Sequence, residues 1–237
     1  MTEAQNAYIL HRRPYGETSL LVELFTEDVG RVGLVARGAR RPRKGATPLE
    51  PFRPLQVTWS GRGELPNLRG SEPLSSPLAL RGEALYLAFY LNELLLRLCP
   101  RFDPYPLAYG AYQEALAGLA SGGRDQPLRA FEAGLLEELG LAPDWQQCAR
   151  CGRAVTASGA YAWEPELGLI CGHCTTAKRP YSGQAVLGLQ AEADHLGPEI
   201  RRQARDLMRA ALAPYLGSRP LESRELLRAL HHRGSRG

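Results

Sequence analysis

The sequence predicts an α+β multidomain protein: an N-terminal five-stranded OB-fold barrel, followed by an all-α helical bundle with an inserted four-cysteine zinc-binding segment. Three observations lead to this class. Short β-rich runs separated by turn residues extend from Asn6 to about Glu72, helical periodicity replaces them after Pro73–Pro77, and two Cys-x-x-Cys pairs follow. We place the barrel at residues 1–78, the helical domain at 79–237, and the zinc-binding insertion at about 144–178.

The N-terminal region contains five short runs rich in β-branched and aromatic residues. Glycine- and proline-containing turns separate these runs, which is the pattern of a small barrel. An OB-fold fits, and an SH3-like barrel fits the strand count almost as well, because periodicity alone does not choose between them. The predicted strands are Tyr8–Arg13, Ser19–Phe25, Arg31–Ala36, Leu55–Trp59 and Leu65–Arg69.

A basic loop, Arg37–Gly45, lies between the third and fourth predicted strands. It has five cations in nine residues and no acid, and its glycines and proline indicate a flexible segment. Such a loop can follow a phosphate backbone without reading bases, although a solvated charge run is the plainer alternative. Nearby aromatic residues could stack bases or belong to the core. The candidate DNA-binding residues are Arg37, Arg40, Arg41, Arg43 and Lys44, and the aromatic residues are Tyr15, Phe52 and Trp59.

Six helices are predicted after the barrel. The fifth places Arg201, Arg205 and Arg209 four residues apart on one face, with Arg202 alongside. These guanidinium groups could track phosphates, or they could form an ordinary solvated face. The predicted helices are Arg81–Leu98, Pro106–Leu119, one from Pro127 to Gly140, Ser182–Leu196, Pro198–Tyr215 and Leu221–His231.

Two Cys-x-x-Cys pairs, 19 residues apart, predict one structural zinc ion. Two intervening residues let both thiolates of a pair reach one metal, and four protein ligands leave no open position for chemistry. His173 could replace one sulfur, and disulfides are the other alternative. Disulfides need an oxidising compartment, however, and Met1–Tyr8 shows no charged segment followed by an apolar one. The predicted ligands are Cys148, Cys151, Cys171 and Cys174.

Composition narrows the class of function. The longest apolar run, Ala84–Leu91, is too short to cross a bilayer, so no membrane span is expected. Arginine accounts for 27 of the 29 lysine and arginine residues, which suits phosphate binding. The codon bias of a GC-rich genome is an alternative explanation for the number of arginines. No Walker-type loop, His-Glu-x-x-His or Gly-x-Ser-x-Gly motif is present. A cytoplasmic protein that binds nucleic acid without catalysis is therefore expected.

Several segments together resemble the RecO family of bacterial recombination mediators. The resemblance covers nearly the whole chain. One departure lies at Glu222, where the family usually has a lysine. The segments are Gly16–Leu21, Val35–Arg41, Leu49–Phe52, Tyr90–Leu94 and Phe131–Pro143.

The resemblance implies a non-enzymatic, nucleoid-associated DNA repair protein. Such a protein binds single- and double-stranded DNA, anneals complementary strands and, with RecR, helps RecA onto DNA coated by single-strand binding protein (SSB). It also implies contact with the acidic, hydrophobic C-terminal tail of SSB, for which the arginine-bearing helical domain is a candidate. An RNA-binding or ribosome-associated zinc protein and a metal-dependent nuclease are the alternatives.

Overall fold

The computed structural model of the chain describes residues 2–41, 45–61, 63–175, 180–189 and 196–234, with side chains described as far as residue 230. The chain forms two compact units. The first contains Met1–Ala120 and Pro220–Gly237, and the second contains Ser121–Arg219. The domain boundaries expected from the sequence stay predictions.

Five strands of the first unit form a closed barrel in the order β1-β2-β3-β5-β4. Neighbouring strands are antiparallel except β3 and β5, which pair in parallel at Val35 and Asn67, and β4 closes the barrel against β1. This order is that of an OB-fold, so the fold prediction is confirmed over the SH3-like alternative. The strands are β1 (Gln5–Tyr15), β2 (Ser19–Thr26), β3 (Gly30–Ala36), β4 (Leu55–Ser60) and β5 (Asn67–Pro73).

Alternate residues of these strands fill the barrel with apolar side chains. Ile9, Leu24, Leu34 and Leu55 are at most 1% exposed. The fifth strand lies later than predicted, at Asn67–Pro73 rather than Leu65–Arg69. Most of its residues are half-buried or exposed, so it lacks the apolar alternation on which the other assignments rest.

Three helices complete the first unit: α1 (Glu83–Leu98), α2 (Pro106–Ala120) and α6 (Glu222–Gly234). Helix α1 packs on β1, α2 and α6. The register of β1 against β2 shifts between Ile9 and His11, which leaves Leu10 outside the regular ladder. The buried Asn92 of α1 donates through Nδ2 to the Leu10 carbonyl at 2.9 Å and accepts from the Tyr112 hydroxyl at 2.6 Å.

The carboxylate of Glu93 in α1 caps the N-terminus of α6. It accepts hydrogen bonds from the backbone N–H groups of Glu222 and Ser223, both at 3.0 Å, and from the Ser223 hydroxyl at 2.7 Å. Arg97 forms an ion pair with the same carboxylate at 2.7 Å and donates to the Pro220 carbonyl. Burial opposes ionisation of Glu93, but these donors together lower its pKa.

The second unit combines three helices with a small antiparallel sheet of order β7-β6-β8. Helix α5 packs against α3, α4, β6 and β8. Its elements are α3 (Asp125–Glu138), β6 (Ala160–Glu164), β7 (Gly168–Cys171), β8 (Tyr181–Ser182), α4 (Gly183–Leu187), α5 (Pro198–Leu212) and a 3-10 turn at Ala213–Tyr215.

Two predicted helix boundaries in this unit were wrong. Helix α3 begins at Asp125 rather than at Pro127. The first turn tolerates Pro127, because the N–H that proline lacks would have no partner within the helix at that position. Helix α4 covers only Gly183–Leu187 of the predicted Ser182–Leu196, with the Ser182 hydroxyl as its N-cap, and residues 190–195 lie outside the described residues.

Within the described ranges, no helix is both long and apolar enough to cross a membrane.

Candidate metal centre and nucleic-acid interface

The second unit brings the four predicted ligands together. The sulfur atoms of Cys148, Cys151, Cys171 and Cys174 all lie within 4.8 Å of one another. The Sγ atoms of Cys151 and Cys171 are 3.7 Å apart, and all five cysteines of the chain are free of disulfides. None of the four sulfurs is disulfide-bonded in this structure, and together they form one compact group of thiols.

Two tight turns place the sulfurs. In the first, Gln147 pairs with Ala154, and the backbone N–H of Gly152 donates to the Cys148 carbonyl at 2.9 Å. Gly152 has φ 68°, a conformation that favours glycine. In the second, which follows β7, the N–H of Cys174 donates to the Cys171 carbonyl at 2.8 Å. The short spacing of each pair is thus realised as a turn that points two sulfurs the same way.

The protonation of these thiols is unequal. Burial opposes ionisation of Cys148, but hydrogen bonds from the backbone N–H groups of Cys171, Arg150 and Cys151 lower its pKa to about 6. The N–H of Cys171 lies 3.2 Å from that sulfur. The pKa of Cys174 is raised to about 12, first by its hydrogen bond with the Cys151 side chain. A bound cation would remove this difference between the thiols, because it would stabilise all four as thiolates and release their protons.

The sulfur arrangement fits tetrahedral zinc. Zn–S bonds of about 2.3 Å place sulfurs roughly 4 Å apart, which agrees with the 3.7 Å between Cys151 and Cys171 and with the 4.8 Å limit for the group. His173 lies outside this cluster of ligand atoms, and its side chain is exposed. Four cysteines could therefore hold one metal ion without it.

Neighbouring side chains support the two turns. Arg150 joins them, because its guanidinium group donates to the Cys174 carbonyl at 3.4 Å and to the Glu164 carboxylate at 3.2 Å. The rings of Trp145 and Trp163 lie 5.5 Å apart between centroids. Such contacts around the ligands restrict the positions that the sulfurs can take.

The first unit carries a groove of about 590 Å³ on the barrel, which we name the arginine groove. Its lining comes from β1, β2, β3, the loop after β3 and β5, and Glu50 is its only acid among the described residues. The guanidinium groups that line it belong to Arg12, Arg37, Arg41 and Arg69.

Neutral partners hold three of these arginines. Arg12 donates to the Leu49 carbonyl at 2.8 Å, Arg37 to the Asn67 side-chain oxygen at 2.8 Å, and Arg69 to the Ser60 hydroxyl at 2.6 Å. In the described part of the chain, none of the four groove arginines forms an ion pair. A guanidinium group has five N–H donors, so each keeps both its charge and further donors for an anion.

The remaining loop cations divide into two groups. Arg40 does not line the groove and instead donates to the carbonyls of Gly16 and Glu17, at 2.9 and 3.0 Å. Arg43 and Lys44 lie outside the described residues.

Three of the four arginines of α5 have acidic partners among the described residues. Arg201 lies 3.4 Å from the Asp125 carboxylate, and Arg209 lies 3.5 Å from Asp206. Arg202 makes two hydrogen bonds to Glu199, at 2.6 and 2.9 Å. The Nε atom of Arg205 is buried. These pairs offset most of the positive charge of the helix, so the DNA-binding role of α5 stays a prediction.

Two groove arginines, Arg12 and Arg69, were missed by the sequence reasoning. Each stands in a predicted strand outside the basic loop, and only barrel closure brings them beside Arg37 and Arg41. A usable signal was present in β1, where consecutive cations at Arg12 and Arg13 interrupt the apolar alternation.

Comparison with known proteins agrees with this architecture. The family model "Recombination protein O N terminal" matches residues 1–77, and "Recombination protein O C terminal" matches residues 80–225. The chain is 40% identical to a DNA repair protein RecO of Photobacterium profundum over 95% of this chain and 96% of that protein.

Two further relatives with the same name give similar values. The identity is 42% to the protein of Nitrosospira multiformis, over 95% of both chains. It is 43% to that of Methylococcus capsulatus, over 94% of this chain and 92% of the relative. Because both family models match and these relatives align over nearly their full length, the chain belongs to the RecO family of DNA repair proteins.

Proposed function

We propose that this protein is a non-catalytic recombination mediator that binds single- and double-stranded DNA through the arginine groove and anneals complementary strands. The observation that carries the proposal is the set of four groove arginines, which no acid neutralises by an ion pair in the described residues. When single- or double-stranded DNA binds in such a groove, the arginines neutralise phosphates and release the counterions that were condensed on the DNA.

Annealing follows from charge screening. Two strands repel each other until cations reduce the field of their phosphates, after which the bases can search for register. The arginine groove supplies this screening for one strand. Helix α5 is the candidate for a second, weaker surface, because its arginines would have to exchange Glu199, Asp206 and Asp125 for phosphates.

We further propose the partners implied by the family resemblance. With RecR, the protein would promote RecA loading on SSB-coated single-stranded DNA in the bacterial cytoplasm, at the nucleoid. The C-terminal tail of SSB would dock on the helical domain. The comparisons give no support to the RNA-binding or ribosome-associated alternative.

The bound metal in this proposal is one structural zinc ion. Four cysteine ligands complete its coordination sphere, so the ion would hold the two turns of the second unit together and take part in no reaction.

The test is annealing of two complementary labelled oligonucleotides without nucleotide, across a salt series. We expect acceleration that falls steeply with salt, and intact product strands when magnesium or manganese is added. Replacing the four groove arginines with glutamine keeps hydrogen-bond donors and removes charge. Each lost phosphate contact should reduce the slope of log affinity against log salt by about 0.7–0.9.

The control exchanges Arg201, Arg202, Arg205 and Arg209 of α5 for glutamine. We expect this variant to lose less affinity than the groove variant. Unchanged affinity and salt slope in the groove variant, with its melting temperature retained, would refute the groove as the DNA site. Cleaved strands in the presence of a divalent metal would refute a non-catalytic role.

A further inference from the structure

We infer that the arginine groove binds a DNA strand by its sugar-phosphate backbone and stacks none of its bases, so that the bases of the bound strand stay available for pairing. This inference rests on the proposed function, because it specifies which part of DNA the same groove recognises.

The lining of the groove combines positive charge with apolar side chains. It includes the four groove arginines and the apolar residues Leu20 and Leu68. None of the described lining residues is aromatic. The structure does not describe residues 42–44 of the adjacent loop or residue 62. In the sequence these are Pro42, Arg43, Lys44 and Arg62, so none of them has an aromatic side chain.

Two aromatic side chains near the groove in sequence, Trp59 and Phe52, are buried. Trp59 is 4% exposed and belongs to the barrel core. Phe52 is 5% exposed, and its ring packs edge-on against Phe89 with the centroids 4.9 Å apart. Neither ring presents a free face to a base. Proteins that hold single strands by stacking need such faces, and their loss costs about fivefold or more in affinity per base.

Tyr15 is the one exposed candidate among the three aromatic residues singled out in the sequence. It ends β1, is 46% exposed and is not part of the groove lining. Its contribution to binding can therefore be tested without altering the groove.

The donors of the groove suit phosphate oxygens. Arg12, Arg37 and Arg69 are each oriented by a neutral oxygen and keep further N–H groups. Planar guanidinium groups match the two oxygens of a phosphate. Because phosphates repeat at a regular spacing whatever the sequence, this array recognises the backbone of any strand. A strand held in this way can form base pairs without first being released from aromatic rings.

The experiment compares two labelled strands of equal length, one of thymidylate and one with abasic tetrahydrofuran residues throughout. Binding of each to the full-length protein is followed by fluorescence anisotropy at low salt. We expect dissociation constants within about threefold of each other and equal salt slopes. The groove variant with four arginine-to-glutamine changes should weaken both strands equally, whereas Tyr15→Ala should change neither.

The outcomes separate this inference from the function on which it rests. Tight binding of thymidylate with tenfold or greater loss for the abasic strand overturns the inference, and so does a Tyr15→Ala change that weakens only the thymidylate strand. Both results leave DNA binding in the groove intact. Binding that the groove variant does not weaken, with its fold retained in circular dichroism, overturns the proposed function and the inference together.

Discussion

Replacement of Asn92 by leucine tests the contact that joins helix α1 to the barrel. The Asn92 side chain is 2% exposed and bonds both the Leu10 carbonyl and the Tyr112 hydroxyl. Burial raises the pKa of Tyr112 well above its usual value, so this hydroxyl stays protonated and donates throughout the working pH range. Asn92→Leu would remove one hydrogen-bond partner from each of two buried polar groups, the Leu10 carbonyl and the Tyr112 hydroxyl, at about 1–3 kcal/mol each. We expect a loss of about 2–6 kcal/mol in unfolding free energy.

The assay is urea denaturation followed by circular dichroism and by tryptophan fluorescence. The matched control is Gln113→Leu, which removes an exposed amide with only a 3.4 Å contact to the Tyr8 hydroxyl and should change stability by less than about 0.5 kcal/mol.

A double-mutant cycle gives the sharper result. Tyr112→Phe alone should destabilise, because it leaves the Asn92 oxygen without its donor. Added to Asn92→Leu, it should recover stability, because it removes a buried hydroxyl whose acceptor on Asn92 is already gone. The reasoning would be refuted by additive effects in the cycle, or by a cost below about 1 kcal/mol for Asn92→Leu.

Three further predictions concern the metal, the cap of α6 and a strained loop. Cys171→Ser should reduce zinc affinity by at least about 10–100-fold in a chelator titration. The control is Cys99→Ser, which changes a buried cysteine outside the cluster and should retain the metal. Equal zinc content in the two variants would contradict the assignment of the ligands. The pKa of Glu93 is lower in the folded protein, so its capping of α6 stabilises the fold at neutral pH, and this stabilisation is lost as pH falls below the ordinary value of 4.5. The melting temperature of the wild type should therefore exceed that of Glu93→Gln at neutral pH and converge with it in acid. A difference in melting temperature that does not change with pH would refute this. Phe102 has φ 60° and is 46% exposed, so Phe102→Gly should be more stable than Phe102→Ala by about 1 kcal/mol in urea denaturation, the reverse of the usual order.

The barrel and the cysteine cluster could be predicted because their signals are local. Strands β1 to β4 each alternate apolar residues over a few positions, and each cysteine pair needs only a two-residue turn. Strand β5 carries Gly70 and ends at Pro73, which sequence rules assign to turns. It is a strand because β4 and β3 supply its hydrogen-bond partners.

The arginine groove could be predicted only in part. Arg37 and Arg41 stand in a visible charge run, whereas Arg12 and Arg69 join them through closure of the barrel. The reverse happened on α5. Its regular arginine spacing suggested a phosphate-binding line, but acids on and near the helix pair with Arg201 and Arg209 of that line and with the neighbouring Arg202. Periodicity shows which residues share a face and cannot show which charges there are already compensated.

The position of α6 has a consequence for the order in which the protein is assembled. The Ser223 hydroxyl that bonds Glu93 is 130 residues further along the chain. During synthesis, the barrel and helices α1 and α2 therefore emerge long before the helix that packs on α1, and the second unit emerges between them. The first unit cannot reach its final packing until α6 has left the ribosome. A chain that stalls after the cysteine cluster would therefore carry a first unit in which the surface of α1 that packs against α6 is still uncovered.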